Sequence, residues 1–334
     1  MKIKIIILGI AVIIVILCFA GSVFEPAQLQ NRNKSCKHVV SNITNLADLN
    51  YSSSNKTEIV LLSNGSTIEQ CFINSNTYNI RPVYMTNMPN NIFQGIYPSI
   101  DNKKNLYFEK TYYDSKPNIC CINVTNLSKA PIEEIVQGLI PSINLNGTYL
   151  MYILCKAYTN ITLNIFNINK EKVILTISDL HAKHYYNYVW LNNDEFVYCA
   201  KNLNIKKYNI ITKETTEFEI PKNIFPCQLS PDRKKLLCIN EKYNKIYIYD
   251  IEKQILKMQV NKKICSSFVW SPTSKGFFYS RQPEFKLRYL LSLTDLVMFG
   301  EKRNLYYRDI YGKEIMVKEH FSLFGGAWLK KNKK

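Results

Sequence analysis

Histidine is scarce in this sequence, with 4 residues in a chain of 334. His181 and His184 stand three positions apart, a spacing that can chelate a metal only when further ligands converge on the same point. No cluster of carboxylates or cysteines lies nearby, so we expect a surface pair. The sequence also has no Gly-x-Ser-x-Gly elbow, phosphate-binding loop or His-Glu-x-x-His motif. It therefore predicts no catalytic residue, no metal site and no cofactor.

Positive charge is plentiful, but no concentrated block of it exists. The formal net charge of +17 comes from lysines spread along the whole chain. A diffuse excess of this kind favours solubility and loose attraction to acidic surfaces, and no nucleic-acid-binding motif accompanies it. We therefore expect no binding to nucleic acid.

Paired cysteine motifs are absent as well. The 10 cysteines contain no Cys-x-x-Cys pair, and nine remain for disulfide pairing once Cys18 in the N-terminal apolar run is set aside. Cys155, Cys199 and Cys238 fall within apolar, strand-like stretches. We expect these three to be buried thiols that pack as small hydrophobic side chains.

One long apolar run is present, at the N-terminus. Lys2 and Lys4 precede an apolar run over 5–20 with small residues after it, an order typical of a secretory signal. Continued to residue 24, the run approaches the ~20 residues that span a bilayer. We predict a signal peptide or membrane anchor over 1–24, a linker over 25–56, a folded domain over 57–329 and a basic tail over 330–334. The domain then lies in the cell envelope, either anchored facing outward or periplasmic or secreted after cleavage.

Five segments repeat one pattern, in which an apolar residue is followed by a polar turn and then by an apolar strand. Successive copies lie 39 to 47 residues apart. The apolar residues that open them, which we call the repeat anchors, are Ile100, Ile143, Trp190, Leu229 and Trp270.

A second pattern follows each repeat anchor: alternating apolar residues lead to Asn or Asp and then to Ile or Val. The polar residues are Asn123, Asn167, Asn209, Asp250 and Asp309. Period-two alternation between turn-forming residues predicts antiparallel hairpins. A four-stranded unit every ~40 to 45 residues is the period of a β-propeller. The sequence thus predicts an all-β, six-bladed propeller, or seven blades if residues 30–56 contribute more than a linker.

The two ends of the predicted domain complement each other. The segment Ala327-Trp328-Leu329 resembles a sixth anchor strand with no room for a blade after it. Residues 57–73 contain two strand-like runs around an Asn-Gly turn. We predict that the C-terminal strand pairs with this region and closes the ring, which removes two exposed sheet edges.

The turns also carry a family resemblance. Leu229-Ser230-Pro231-Asp232 and Trp270-Ser271-Pro272 resemble the Ser-Pro-Asp-Gly repeat of TolB-type (WD40-like) β-propellers, over about residues 93–329. Gly147 and Gly276 are taken as the two copies that keep the turn glycine. The resemblance implies a six-bladed, non-catalytic periplasmic propeller that binds other proteins at its rim or channel mouth.

The fifth repeat contains an insertion. From Trp270 to Asp309 there are 39 residues, against 19 to 24 in the other units. Insertions in repeat proteins lie on one face, often the binding face. The alternative is a hairpin or short helix that packs its leucines on its own blade. The predicted partner-binding residues of this insertion, residues 281–303, are Arg281, Phe285, Lys286, Arg288, Tyr289, Phe299, Lys302 and Arg303.

These observations favour a non-catalytic protein-interaction platform in the cell envelope or outside the cell. Two alternatives stay open. One is a propeller enzyme with a lactonase- or lyase-like site at the channel mouth, which would need several Asp, Glu or His side chains to converge there. The other is a secreted or surface factor that acts on a host.

Overall fold

The computed structural model describes residues 58–63, 68–74, 77–83, 92–112, 116–123, 132–157, 160–181, 187–261, 264–281, 303–319, 321, 323 and 326–328. The predicted signal or anchor segment, the linker that a seventh blade would need and most of the insertion lie outside this part of the chain.

The described residues form 24 strands, numbered β1 to β24 in chain order, and no helix. An all-β fold is therefore confirmed. Within these ranges no helix is long and apolar enough to cross a membrane.

The strands form six four-stranded antiparallel sheets. Five sheets are blades that each consist of four consecutive strands. By sheet, these strands are β4 (Ile92–Ile100), β5 (Asn105–Tyr112), β6 (Asn118–Asn123) and β7 (Glu133–Gln137); β8 (Leu139–Ile143), β9 (Tyr149–Ala157), β10 (Asn160–Asn167) and β11 (Lys172–Ile177); β12 (Tyr188–Trp190), β13 (Glu195–Cys199), β14 (Ile205–Asn209) and β15 (Thr215–Glu217); β16 (Ile224–Leu229), β17 (Lys235–Asn240), β18 (Lys245–Asp250) and β19 (Ile255–Asn261); β20 (Ile264–Trp270), β21 (Gly276–Arg281), β22 (Asn304–Asp309) and β23 (Glu314–Lys318).

The remaining sheet is composite, because it joins the two ends of the domain. Its order is β24 (Gly326–Trp328), β1 (Glu58–Ser63), β2 (Ile68–Asn74) and β3 (Thr77–Val83). β24 pairs with β1 in antiparallel register, with Ala327 opposite Leu61. The predicted pairing of the C-terminal strand with residues 57–73 is thus confirmed.

One edge strand of each sheet lies at the centre of the molecule. These inner strands are β4, β8, β12, β16, β20 and β24, and the repeat anchors are the last residues of the first five. Each inner strand contacts the next one around the ring, and β24 contacts β4. This cycle of contacts places the inner strands around a central axis, as in a β-propeller.

The turn after each repeat anchor, which we call the anchor turn, contains a polar residue near its start that forms hydrogen bonds within the turn. The Asn144 Oδ1 accepts hydrogen bonds from the backbone N–H of Thr148 and Tyr149, and the Ser230 Oγ accepts one from Lys235. Such side chains favour turns because they satisfy backbone donors that no strand partner reaches. The serine of the Ser-Pro-Asp motif is therefore a turn-forming residue.

The fourth residue has a left-handed backbone in four of the five anchor turns. It is Lys104 at φ 66°, Gly147 at φ 75°, Arg233 at φ 62° and Ser274 at φ 60°. Gly147 alone among these four is a glycine. Gly276 does not occupy this position, because it begins β21 and Ser274 has the positive φ. The assignment of Gly276 as a turn glycine is therefore wrong.

The second sequence pattern marks the turn between the third and fourth strands of a sheet. Asn209 and Asp250 end β14 and β18, and their side-chain oxygens accept backbone N–H groups of the turn that follows. The next residue, Ile210 or Ile251, donates its N–H to a carbonyl of the anchor turn at 2.8 or 2.9 Å. Both kinds of turn therefore meet on one side of the propeller, which we call the anchor-turn face.

The core lies between and within the blades. Trp270, Phe277 and Tyr279 are fully buried. Cys199 and Cys238 are buried thiols as predicted, but Cys155 is exposed. Cys155 lies near the end of the long strand β9, beyond its run of buried residues at 150–153.

Candidate functional site

The inner strands enclose a central cavity of about 480 Å³. All six contribute to its wall, including β24 through Gly326, Ala327 and Trp328. At the anchor-turn face the wall continues into Leu145, Leu191 and Arg233. A volume in this range suits a small ligand or a short stretch of peptide.

Side-chain hydrogen bonds join neighbouring inner strands around the cavity. The indole N–H of Trp190 donates to the Ser142 carbonyl at 2.9 Å, and the Ser99 Oγ accepts the Ile143 N–H at 3.1 Å. A second indole repeats the first contact, from Trp270 to the Gln228 carbonyl at 3.2 Å. The repeat anchors Trp190 and Trp270 thus hold the cavity wall together.

Gln228 links three inner strands. Its Oε1 accepts the Trp270 N–H at 2.9 Å, and its Nε2 donates to the Gly326 carbonyl at 3.5 Å. β16, β20 and β24 are therefore tied to one another by a single side chain, which also lines the cavity.

The end of the cavity away from the anchor turns contains a buried amide. Asn187 is 1% exposed, and its Nδ2 donates to the Pro226 carbonyl at 3.2 Å. Its Oδ1 is buried and accepts no hydrogen bond. A buried acceptor of this kind costs free energy, so each one needs a structural or functional reason.

Cys227 lies beside this amide. It is the additional residue of a β-bulge between Pro226 and Gln228, and a bulge turns a side chain out of the normal alternation. Its Sγ lies 3.4 Å from the Asn187 Nδ2. Burial raises the pKa of the Cys227 thiol well above its ordinary value, so this thiol stays protonated at neutral pH.

The wall is strained at Ile140. This β-branched residue has φ 54°, a left-handed value that such side chains rarely adopt. The Glu109 carboxylate accepts the Ile140 N–H at 3.1 Å, and the Tyr188 hydroxyl donates to the Ile140 carbonyl. Both backbone polar groups of Ile140 are thus held by side chains, which is how surrounding structure maintains local strain.

The described ends of the predicted insertion, Arg281 and Arg303, are not among the residues that line this cavity. Arg281 pairs with Asn304 across β21 and β22, at the end of the sheet away from its anchor turn. The insertion therefore leaves the propeller at the face opposite to the anchor-turn face. Six of the predicted residues lie outside the described part of the chain: Phe285, Lys286, Arg288, Tyr289, Phe299 and Lys302. Arg303 is half-buried and directly precedes β22.

Arg281 itself is buried and forms an ion pair with the half-buried Glu314. Its guanidinium lies 2.8 Å from the Glu314 carboxylate and stacks on the Tyr306 ring at 4.1 Å. The Tyr279 hydroxyl also donates to Glu314. Burial and this carboxylate raise the pKa of Tyr279. Arg281 thus fastens the root of the insertion to its own blade.

No group of three or more His, Cys, Asp or Glu side chains in the described ranges could hold a metal ion. His184 lies outside those ranges.

Sequence reasoning missed Asn187, Cys227 and Arg233 as cavity residues. Arg233 directly follows the Leu229-Ser230-Pro231-Asp232 motif, but nothing in the sequence distinguishes a cavity-lining residue from its neighbours in the turn.

The closed ring of inner strands and its central cavity define this chain as a β-propeller. No family model matches the sequence, and no curated protein matches it. Solved structures do share the fold. TolB from Acinetobacter baumannii superposes with a TM-score of 0.58 at 14% identity, over 82% of this chain and 66% of that one.

Two further solved structures share the fold. A TolB-designated protein from Agrobacterium tumefaciens has a TM-score of 0.52 at 11% identity, over 81% of this chain and 92% of its own. A chain of the nidogen/laminin complex has 0.51 at 12% identity, over 81% and 98%. The chain thus has a TolB-type β-propeller fold, in agreement with the sequence resemblance.

Proposed function

We propose that this chain is a non-catalytic binding propeller, displayed in the cell envelope or outside the cell, which holds an extended segment of a partner protein in its central cavity. The observation that carries the proposal is the cavity of about 480 Å³ that all six inner strands enclose. It opens among the anchor turns, where Leu145 and Leu191 present apolar side chains.

The chemistry of the wall suits binding. Its described residues offer apolar side chains, the hydroxyls of Ser99 and Ser142, the amides of Asn192 and Gln228, and one guanidinium. These groups can hydrogen-bond a peptide backbone and pack against its side chains. General acid–base catalysis commonly uses carboxylates or imidazoles, and none of the described lining residues carries either. This composition supports binding over turnover.

Arg233 gives the proposed partner segment a charge preference. It is the one charged residue among the described lining residues, and it is exposed at the anchor-turn face. An acidic side chain of the partner would therefore be favoured at this mouth. We propose the location in the cell envelope on the basis of the N-terminal apolar segment.

Site-specific cross-linking tests the proposal. A photo-reactive phenylalanine analogue at Leu145 should cross-link to one short segment of a partner protein. The same analogue at Ile211, which is 66% exposed on an outer turn of the same face, should not. Equal products from both positions, or none from Leu145, would contradict a cavity-bound partner.

A charge reversal provides the matched variants. Arg233→Glu should lower the yield of the Leu145 cross-link about fivefold or more, because the acidic partner segment would then meet a negative charge. Lys213→Glu makes the same charge change at an exposed turn residue with φ 61°, against 62° for Arg233, and should leave the yield unchanged. A similar loss in both variants would indicate attraction by overall charge instead.

A further inference from the structure

Exposed apolar side chains are concentrated on the outer edge of four consecutive blades. We call the fourth strands of these blades, β11, β15, β19 and β23, the outer strands. All eight large hydrophobic residues that are exposed in the described part of the chain lie on an outer strand or on the turn before one. They are Val173, Ile174, Ile211, Ile255, Met258, Tyr311, Ile315 and Met316. Single exposed hydrophobic residues are ordinary, but a concentration of them marks an interaction surface.

The turns before the outer strands are held in equivalent positions on the anchor-turn face. In each of the four blades, the isoleucine that follows the Asn or Asp donates its N–H to a carbonyl of the anchor turn, at 2.8 to 3.0 Å. On each turn, or at the beginning of the strand after it, one large apolar side chain is exposed. These rim residues are Val173, Ile211, Ile255 and Tyr311. The face therefore presents an apolar side chain from each of four neighbouring blades.

Positive charge accompanies the rim residues. Each of the four turns contains an exposed lysine: Lys170, Lys213, Lys253 and Lys313. Across the described turns of the anchor-turn face, exposed basic residues outnumber exposed acidic ones. The basic residues are these four lysines with Lys103, Arg233, Lys234 and Lys275, and the acidic residues are Glu171, Glu214, Asp232 and Glu252. The face thus combines apolar side chains with an excess of positive charge.

A flat anionic surface fits this combination. The rim residues follow one another from blade to blade along the edge of one face, so a flat partner can contact all of them together. Apolar side chains enter the boundary between headgroups and acyl chains of a bilayer, while neighbouring lysines bind anionic headgroups. A second copy of the chain is disfavoured, because two copies with a net charge of +17 repel each other.

We propose that the anchor-turn face docks onto an anionic lipid membrane through its rim residues and the four turn lysines. The inference goes beyond the proposed function, because it concerns the rim of the face and not the cavity. The cavity mouth opens on the same face, so a partner that reaches it would itself have to be held at the membrane. The anchor predicted over 1–24 would keep the domain at such a surface.

Vesicles with brominated acyl chains, which quench tryptophan fluorescence on contact, test the docking. Tyr311→Trp places a reporter on the rim, where Tyr311 is 87% exposed. Lys242→Trp places one on an exposed turn between β17 and β18, at the opposite face. Both full-length variants keep the 3 native tryptophans and the N-terminal segment, so their difference reports which face meets the lipid. With phosphatidylglycerol in the vesicles, the fluorescence of the reporter at 311 should be quenched and that at 242 should not.

Charge reversals separate specific docking from general attraction. In the Tyr311→Trp protein, Lys253→Glu should lower the ratio of docked to undocked protein about fivefold or more, because one lysine at an anionic surface contributes about that factor. Lys222→Glu makes the same change at an exposed residue of the opposite face and should leave the ratio unchanged. Vesicles of phosphatidylcholine alone should quench the reporter at 311 much less.

Three results would overturn the proposal: equal quenching of the two reporters, equal effects of the two charge reversals, or undiminished quenching by phosphatidylcholine. Absence of quenching at residue 311 would also overturn it and would assign the face to a protein partner instead. The Leu145 cross-link needs a partner protein and no vesicles, whereas this quenching needs vesicles and no partner. The two proposals can therefore fail separately.

Discussion

Most of the polar residues by which the repeat is recognised in the sequence are residues that cap turns. Ser230 accepts the Lys235 N–H, and the Asp232 N–H donates to the Ser274 Oγ of the next anchor turn at 3.0 Å. The polar residues of the motif are thus used within the fold, in turns and between blades. The resemblance to TolB-type propellers therefore reports architecture.

Substitutions at the left-handed position of the anchor turns should have opposite effects. Gly147→Ala should lower the free energy of unfolding by about 1–3 kcal/mol, because a Cβ at φ 75° is strained and would lie 2.4 Å from the Asp101 Oδ2. Lys104→Gly, at the equivalent turn position with φ 66°, should raise it by up to about 1 kcal/mol. Urea unfolding measures both. Destabilisation by Lys104→Gly would show that backbone strain is not the determining factor.

At the scale of elements, the pairing of β24 with β1 in the composite sheet closes the ring. β24 is three residues long, yet it pairs with β1, contacts β20 and β4, and lines the central cavity. Gly326 is required there, because a Cβ would lie 2.4 Å from the Leu61 carbonyl. One short strand therefore completes both the sheet and the ring.

Removal of this strand should destabilise the whole domain. Deletion of residues 324–334 exposes an edge of β1 and removes the side chains of Ala327 and Trp328, a loss of about 4 kcal/mol. The melting temperature should fall by about 10 °C. Deletion of residues 330–334 alone removes the basic tail and should change it by less than about 2 °C. Equal effects of the two deletions in a thermal melt would show that β24 does not close the ring.

At the scale of the whole molecule, the propeller offers two separate surfaces. The anchor-turn face contains the cavity mouth with Arg233, whereas the insertion leaves from the opposite face beside Arg281. The Arg281–Glu314 ion pair keeps the blade intact beneath the insertion whether or not the insertion contacts a partner. Replacement of residues 284–300 therefore removes none of the described residues that line the cavity.

Replacement of residues 284–300 by a short Gly-Ser turn tests the insertion. β21 and β22 are already joined at Arg281 and Asn304, so the melting temperature should stay within about 2 °C. If the insertion supplies a second partner contact, as we propose, the yield of the Leu145 cross-link should fall about fivefold. An unchanged yield would leave the cavity as the sole contact. Loss of cooperative unfolding would instead show that the insertion packs on its own blade.

The sequence by itself determined the β-propeller, the positions of the repeat anchors and the closure by residues 326–328, because strand alternation and turn capping depend on neighbouring residues. It could not determine which side chains line the cavity. Asn187 and Cys227 meet only because β12 and β16 are neighbours in the ring, and the bulge at Cys227 arises from pairing with β17. The burial of Arg281 and the exposure of Cys155 were likewise decided by tertiary structure, since burial depends on contacts between residues distant in sequence.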